Sequence, residues 1–415
     1  MADNPFKRIL KVEIDAEKTP FVKPDGTYNM AALLSCGRTG GICYDETGDY
    51  QKLKTEPVED TQARVDMTMN LGHQSIYDHA VICLNIVNLP KYLAMVLNNE
   101  KQYTTSERSL RYTPVTMEAT KDGIISKAEV KLYEKWLEIF KREINREIES
   151  EGYNRKFYNN SRIEKLAQEN ARYQVTNLVP TKMTYTTTLG QTGRLAKWML
   201  DFIERKDLQK PEQMLAGSMI AFVDELSRLN VLVEKLMLNE KKRSLSLFSE
   251  HMLTKMENFG NSYTAIYNGS LAQLAQAHRH RTIHYEMELL PDNKKDYFIP
   301  PVIAKNPELV KEWLCDIRSV ANLRPQGELV KICEQGTDEM FILKTKESLC
   351  VSAQLEVMQR TAETLKKMHA ATEQQNPALA KRLSQYLGGA RCSFPDYKCL
   401  KPCGVKQGID LSRKL

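Results

Sequence analysis

Residues 126–149 constrain the fold more than any other stretch of this chain. Ser126 is followed three residues later by Glu129, the pairing of a capping box, and Val130, Tyr133, Trp136, Leu137, Phe140 and Ile144 then recur at helical spacing. An apolar stripe of that width has to be covered, so the pattern predicts a long amphipathic helix packed along one face. Similar stripes mark residues 211–239 (Leu215, Met219, Phe222, Val223, Leu226, Leu229) and 353–371 (Leu355, Met358, Ala362, Leu365, Met368). Between the helices lie short β-branched or aromatic runs, "AVICLNIV" at 80–87 and "MTYTTTL" at 183–189, which have the composition of strands. Long helices mixed with a few short strands place the chain in the α+β class.

With 415 residues the chain is long enough for two large halves, and the charged stretch "LNEKKRS" near residue 240 is the best joint, dividing it into 1–240 and 241–415. The net charge of +6 favours anionic ligands only weakly, and no basic stripe with interleaved aromatics marks a nucleic-acid binder. No apolar run reaches the roughly 18 residues of a bilayer span, and the N-terminal "MADNPFKRILKVEID" lacks the apolar core of a signal peptide. The expectation is a cytoplasmic protein with no membrane partner. Nine cysteines, an odd number, fit reduced thiols. Cys392, Cys399 and Cys403, spaced C-x6-C-x3-C, match no standard zinc site and fit packing better than a bound metal.

Polar chemistry concentrates at three places. Arg279, His280 and Arg281 stand in an unbroken row after an apolar helical pattern, and neighbouring like charges are best relieved by an anion. "GHQSIYDH" packs Gly72, His73, Ser75, Asp78 and His79 into a turn before a strand, a composition suited to touching a ligand. "SERSLRY" holds Ser109 and Arg111 two apart, so in an extended segment a hydroxyl and a guanidinium converge on one side, with Glu107 beside them. Taken singly, each is also what a solvated turn would show.

In this order the pieces resemble the flavin-dependent thymidylate synthases, the ThyX family. The turn "GH-x-S-x-x-[DE]-H", a strand and a later "S-x-R-Y" follow that family's pattern. In the family RHR and S-x-R-Y share one short stretch, whereas here they are separated. The first half keeps Ser109, Arg111 and Tyr112 but reads Asn99, Glu100 and Lys101 where RHR would fall. The second keeps RHR, preceded by Gln276, but reads Leu289 and Pro291 where the Ser and Arg would follow. "ENARYQV" (169–175) is similar to a nucleotide-binding segment and "SAQLEVM" (352–358) to the start of the family's closing helix. The family's Asn-x-Arg flavin contact reads Gln191 and Gly193 in one half and Thr337 and Glu339 in the other.

The resemblance implies a tandem arrangement of two degenerate units, each a mixed or antiparallel sheet with long helices. It implies conversion of dUMP to dTMP with methylenetetrahydrofolate as carbon donor, NADPH as reductant and FAD as cofactor, at a composite site in a homodimer. Flavin-dependent hydroxymethylation of a pyrimidine nucleotide and a non-catalytic nucleotide-binding relic are the alternatives. By resemblance, Ser109 and Arg172 take catalytic roles, and Glu107, Ser109, Arg111, Tyr112, Arg172 and Gln276 bind the nucleotide. His73, Ser75, Arg279, His280 and Arg281 are expected on the flavin side.

Overall fold

The computed structural model describes residues 4–44, 46, 48–239, 242–249, 252, 254–278, 283–399 and 415. Contacts group the chain into two units, each discontinuous in sequence: Met1–Arg108 with Pro180–Leu245, and Ser109–Val179 with Ser246–Leu415. This grouping by contact is distinct from the division near residue 240, which concerns repeated motifs. Among the described residues no helix is long and apolar enough to cross a membrane.

The first unit is built on an antiparallel sheet of β1 (Lys11–Ile14), β2 (Val81–Pro90), β3 (Thr104–Glu107) and β4 (Pro180–Thr188), in the order β1-β2-β4-β3. Thr181, Met183, Tyr185 and Thr187 of β4 are buried while Lys182 is exposed, the alternation of a strand with one face on a core. Leu84 lies opposite Tyr185, and the ladder slips between Val87 and Leu89. Asn88, at φ 56°, takes up the slip in a left-handed conformation that asparagine tolerates better than a β-branched residue.

Two helices follow β4. Thr188 caps Leu189–Ile203 by accepting from the Gln191 amide at 3.1 Å. Lys210–Arg228 starts with Pro211 in its first turn and buries the expected Leu215, Met219, Phe222, Val223 and Leu226. It ends well short of residue 239. Asn230 turns left-handed at φ 56°, its amide donates to the Ser227 carbonyl at 3.0 Å, and the Val231 amide donates to the Leu226 carbonyl at 3.2 Å. This is a Schellman ending, and the apolar residues beyond it continue the stripe without continuing the helix.

The second unit holds the 24-residue helix Lys127–Ser150, with both halves of the Ser126–Glu129 capping box formed. Val130, Tyr133, Trp136, Phe140 and Ile144 are buried. Trp136 meets Trp313 edge-on, with ring centroids 4.7 Å apart, and its indole N–H donates to Asp316 at 2.8 Å. The closing helix runs Leu355–Gln375 and buries Leu355, Met358, Ala362, Leu365 and Met368 as its spacing predicts.

The sheet of this unit comprises β5 (Ser262–Ser270), β6 (His284–Glu288) and β7 (Leu329–Thr337), antiparallel in the order β5-β7-β6. The first sheet thus places β4 between β2 and β3, as the second places β7 between β5 and β6. The surrounding elements also match in kind. Helix Lys91–Leu97 joins β2 to β3 and helix Leu271–Ala277 joins β5 to β6, while Thr188 and Thr337 each end the central strand by capping the next helix.

Candidate functional site

Four amide and hydroxyl bonds tie three distant sequence fragments together inside the second unit. Gln354 Nε2 donates to the Tyr173 hydroxyl at 3.0 Å, and that hydroxyl donates to Glu356 at 3.3 Å. Glu356 also accepts from the Ser270 amide at 2.7 Å and the Ser270 hydroxyl at 2.6 Å. Ser270 in turn caps the short helix Leu271–Ala277 that carries Gln276. "ENARYQV", "SAQLEVM" and the Gln276 helix thus share one buried network. Burial pushes the Glu356 carboxyl above its ordinary range, although its Ser270 bonds oppose this.

Arg172 sits at the C-terminal end of helix Asn160–Ala171 and is only 5% exposed. Its Nε and Nη2 have no hydrogen-bond partner among the described residues. Burial accordingly pulls its pKa down against the pull of Glu169 and Tyr173. A guanidinium in that state is a strong demand for an acceptor or an anion, because an unsatisfied buried donor costs about 1–3 kcal/mol.

The Ser109–Arg111 pair departs from the extended geometry that its spacing suggests. β3 stops at Glu107, and the Ser109 carbonyl accepts from the Tyr112 and Thr113 amides, both at 3.1 Å, so residues 109–113 form a turn. The Ser109 hydroxyl accepts from the Arg111 amide at 3.3 Å. Arg111 is ion-paired to Glu169 and donates to the Ser352 carbonyl at 3.0 Å. Tyr112 is 55% exposed. Arg111, Tyr112, Arg162, Lys165, Leu166, Glu169, Val351 and Ser352 line a cavity of about 230 Å³.

In the first unit, His73 and Ser75 belong to the turn entering β2 and line a cavity of about 730 Å³. Asp78 of the same turn lines it too, together with Arg194, Trp198, Lys235 and Arg243, and sequence reading placed none of these last four at a site. His73 Nδ1 lies 2.6 Å from the Tyr44 hydroxyl, and Arg194 makes a forked contact to Asp78 at 2.8 and 3.0 Å. Arg194 and Trp198 are four residues apart on one helix and so share a face. That spacing, one residue beyond the altered Gln191-x-Gly193, was the available signal.

Arg243 stacks over the Trp198 ring at 4.0 Å and donates to Glu100 at 2.8 Å. The Glu100 side chain is 0% exposed, so a buried carboxylate occupies a position where the family would place its basic row. Glu107 accepts from Asn98 at 3.1 Å and is ion-paired to Lys91. By contact grouping, Glu107, His73 and Ser75 fall in the first unit, and Ser109, Arg111, Tyr112, Arg172 and Gln276 in the second. Arg279, His280 and Arg281 lie outside the described residues, as does Cys403. Cys392 is exposed and Cys399 half-buried, and among the described residues no three metal-binding side chains are placed together.

Among curated proteins, none matches the chain. Among solved structures, similarity extends to a UMP/dUMP methylase, PolB, from Streptomyces cacaoi bound with 5-Br dUMP, at 14% identity and TM-score 0.31, covering 55% of this chain and 92% of that one. It extends also to thymidylate synthase X from Helicobacter pylori with FAD and dUMP, at 15% identity and TM-score 0.30, covering 55% of this chain and 100% of that one. Residues 28–201 match the family described as thymidylate synthase complementing protein. Through those residues, less than half of the chain, it is similar to that family, the ThyX family.

Proposed function

We propose that this protein is an enzyme of the flavin-dependent thymidylate synthase type, which methylates dUMP to dTMP with methylenetetrahydrofolate as carbon donor and NADPH as reductant. The observation that carries this reading is Arg172, a buried guanidinium with unpartnered donors, bonded through its neighbour Tyr173 to the family-like segment at 354–356. A pyrimidine nucleotide offers the carbonyl and phosphate oxygens that such a donor requires. Arg172 and Ser109 take the catalytic positions in this reading. Arg172 stabilises negative charge on the uracil as its C5 becomes nucleophilic, and Glu107, Arg111, Tyr112 and Gln276 orient the nucleotide.

FAD is the implied cofactor, and the first unit's cavity is the place assigned to it. Its lining combines Lys235 with Arg194 and Arg243, which are paired with Asp78 and Glu100, and with the polar turn of His73 and Ser75. When bound, the flavin supplies the hydride chemistry that the side chains lack. Glu100 already answers Arg243 at the first basic-row position, so recognition of the cofactor's pyrophosphate is assigned to Arg279, His280 and Arg281. The matching strand orders of the two sheets support descent from a duplicated unit, 1–240 and 241–415; a composite active site in a homodimer is part of the same proposal.

The visible absorption spectrum of the purified protein, with and without FAD and then titrated with dUMP, tests the reading. A flavin spectrum that shifts with dUMP and is lost in Arg279→Ala is expected. Failure to bind flavin under any condition sinks the synthase reading.

A further inference from the structure

A helix as short as Leu271–Ala277 does not hold itself in water, so the segment that carries Gln276 depends on what it is tied to. Its start is fixed by Ser270, bonded to Glu356. Its middle is fixed by Gln273, whose Nε2 donates to the Tyr267 hydroxyl at 3.3 Å. That hydroxyl donates to Glu334 at 2.9 Å, and Glu334 accepts also from the Tyr263 hydroxyl at 2.7 Å and from Lys344 at 2.5 Å. The helix's far end is fixed by His278, whose ring meets Tyr285 edge-on at 5.4 Å, and Lys344 lies 5.7 Å from the centre of the same Tyr285 ring. Middle and end are thus both tied to the Lys344–Glu334 pair, whose side chains are each 1% exposed. Burial pushes the Glu334 carboxyl up, but Lys344 and the two hydroxyls outweigh it and hold it below its ordinary value of 4.5, so Glu334 is ionised at neutral pH.

The first unit fills the corresponding places with uncharged side chains. Counted from the capping threonines Thr188 and Thr337, Tyr185 and Leu195 stand there for Glu334 and Lys344. Along the paired strands, Ile82 and Ile86 stand for Tyr263 and Tyr267, and all four are buried. Charge at these places is therefore not a demand of the fold. Nor does stability account for it, because replacing a buried ion pair by apolar side chains of similar volume is often neutral or stabilising. What the charged network has, and an apolar contact lacks, is direction.

We propose that Lys344 and Glu334 are positioning residues for substrate binding, holding helix Leu271–Ala277 so that Gln276 meets the nucleotide. The proposal rests on the nucleotide reading above. Its test gives the network the first unit's kind of packing, with Tyr263→Phe, Tyr267→Phe, Glu334→Leu and Lys344→Met combined in one full-length variant. Thermal unfolding and calorimetric titration with dUMP compare it with the wild type. The variant is expected to melt at or above the wild-type temperature yet to bind dUMP about tenfold more weakly, and Gln276→Ala, which weakens binding in the wild type, should add little to it. Binding as tight as the wild type's, or a loss that adds in full to that of Gln276→Ala, overturns the positioning role and leaves the proposed function standing. Should the variant not fold, Tyr267→Phe decides, since it removes a single hydroxyl from the network. Weaker dUMP binding at an unchanged melting temperature then supports the proposal, and unchanged binding overturns it. If the wild type does not bind dUMP the nucleotide reading fails, and hydrogen exchange of the same variants decides the rest. Faster exchange confined to the amides of 271–278 upholds the pair as the anchor of this helix, and unchanged exchange overturns it.

Discussion

At Asn230 one left-handed residue decides where a helix stops. A side chain with a Cβ resists that conformation by roughly 1 kcal/mol, asparagine less so, and glycine not at all. Asn230→Ala is therefore expected to cost about 1 kcal/mol in urea unfolding, and Asn230→Gly to stay within a few tenths. Equal effects of the two would show that the asparagine side chain, which donates to the Tyr28 carbonyl at 3.1 Å, matters more than the backbone. Arg172 poses the opposite case, a residue whose removal improves the fold. Because its Nε and Nη2 are buried without partners, Arg172→Met is expected to raise stability by about 1–3 kcal/mol while abolishing any stabilisation by dUMP. Thermal unfolding with and without dUMP measures both effects, and a strongly destabilised variant would show the guanidinium to be satisfied after all.

Helices 31–40 and 58–70 of the first unit are joined by a small polar clamp. Arg64 donates to the Gly37 carbonyl at 3.1 Å and to both oxygens of Glu56, at 2.6 and 2.8 Å. The Arg64 bonds hold the Glu56 carboxyl below its ordinary value of 4.5, with the Thr61 hydroxyl helping. A depressed carboxylate stabilises fully above its unfolded value and loses that contribution as pH falls through the lower folded one. Glu56→Gln should therefore cost about 1–2 kcal/mol at neutral pH, and its unfolding curve should converge with the wild type as pH drops below 4.5. Parallel curves at all pH values would contradict the clamp. What sequence disclosed at this scale was local. The capping box at Ser126 and the apolar stripes at 126–149 and 353–371 depend on near neighbours and appear where their spacing places them. The helix end at Asn230 was hidden because Val231 and Leu236 prolong the apolar rhythm past the turn. Arg111 looked available because its partner, Glu169, is 58 residues away, and no spacing rule reports such a pair.

At the scale of the whole molecule, motif order and spatial grouping cut the chain differently. Segment Ser109–Val179, which carries S-x-R-Y and Arg172, shares its compact unit with Gln276 and the 354–356 network. One core cluster draws Trp136, Phe140 and Ile163 from that segment and Trp313, Met358 and Leu365 from beyond residue 246. A fragment of residues 1–240 should consequently bind a hydrophobic dye and aggregate, and adding 241–415 during refolding should suppress both. A fragment that is monomeric and dye-silent alone would show that 109–179 can bury itself. The same threading sets a timetable for synthesis. Emerging from the ribosome, the chain completes the first unit at Leu245 while the helices of 109–179 still lack the partners encoded after them. At ordinary translation rates their wait lasts on the order of ten to thirty seconds. Ser109, Arg111 and Arg172 are thus made early and housed last, and it is during this interval that the protein is most exposed to chaperones and proteases.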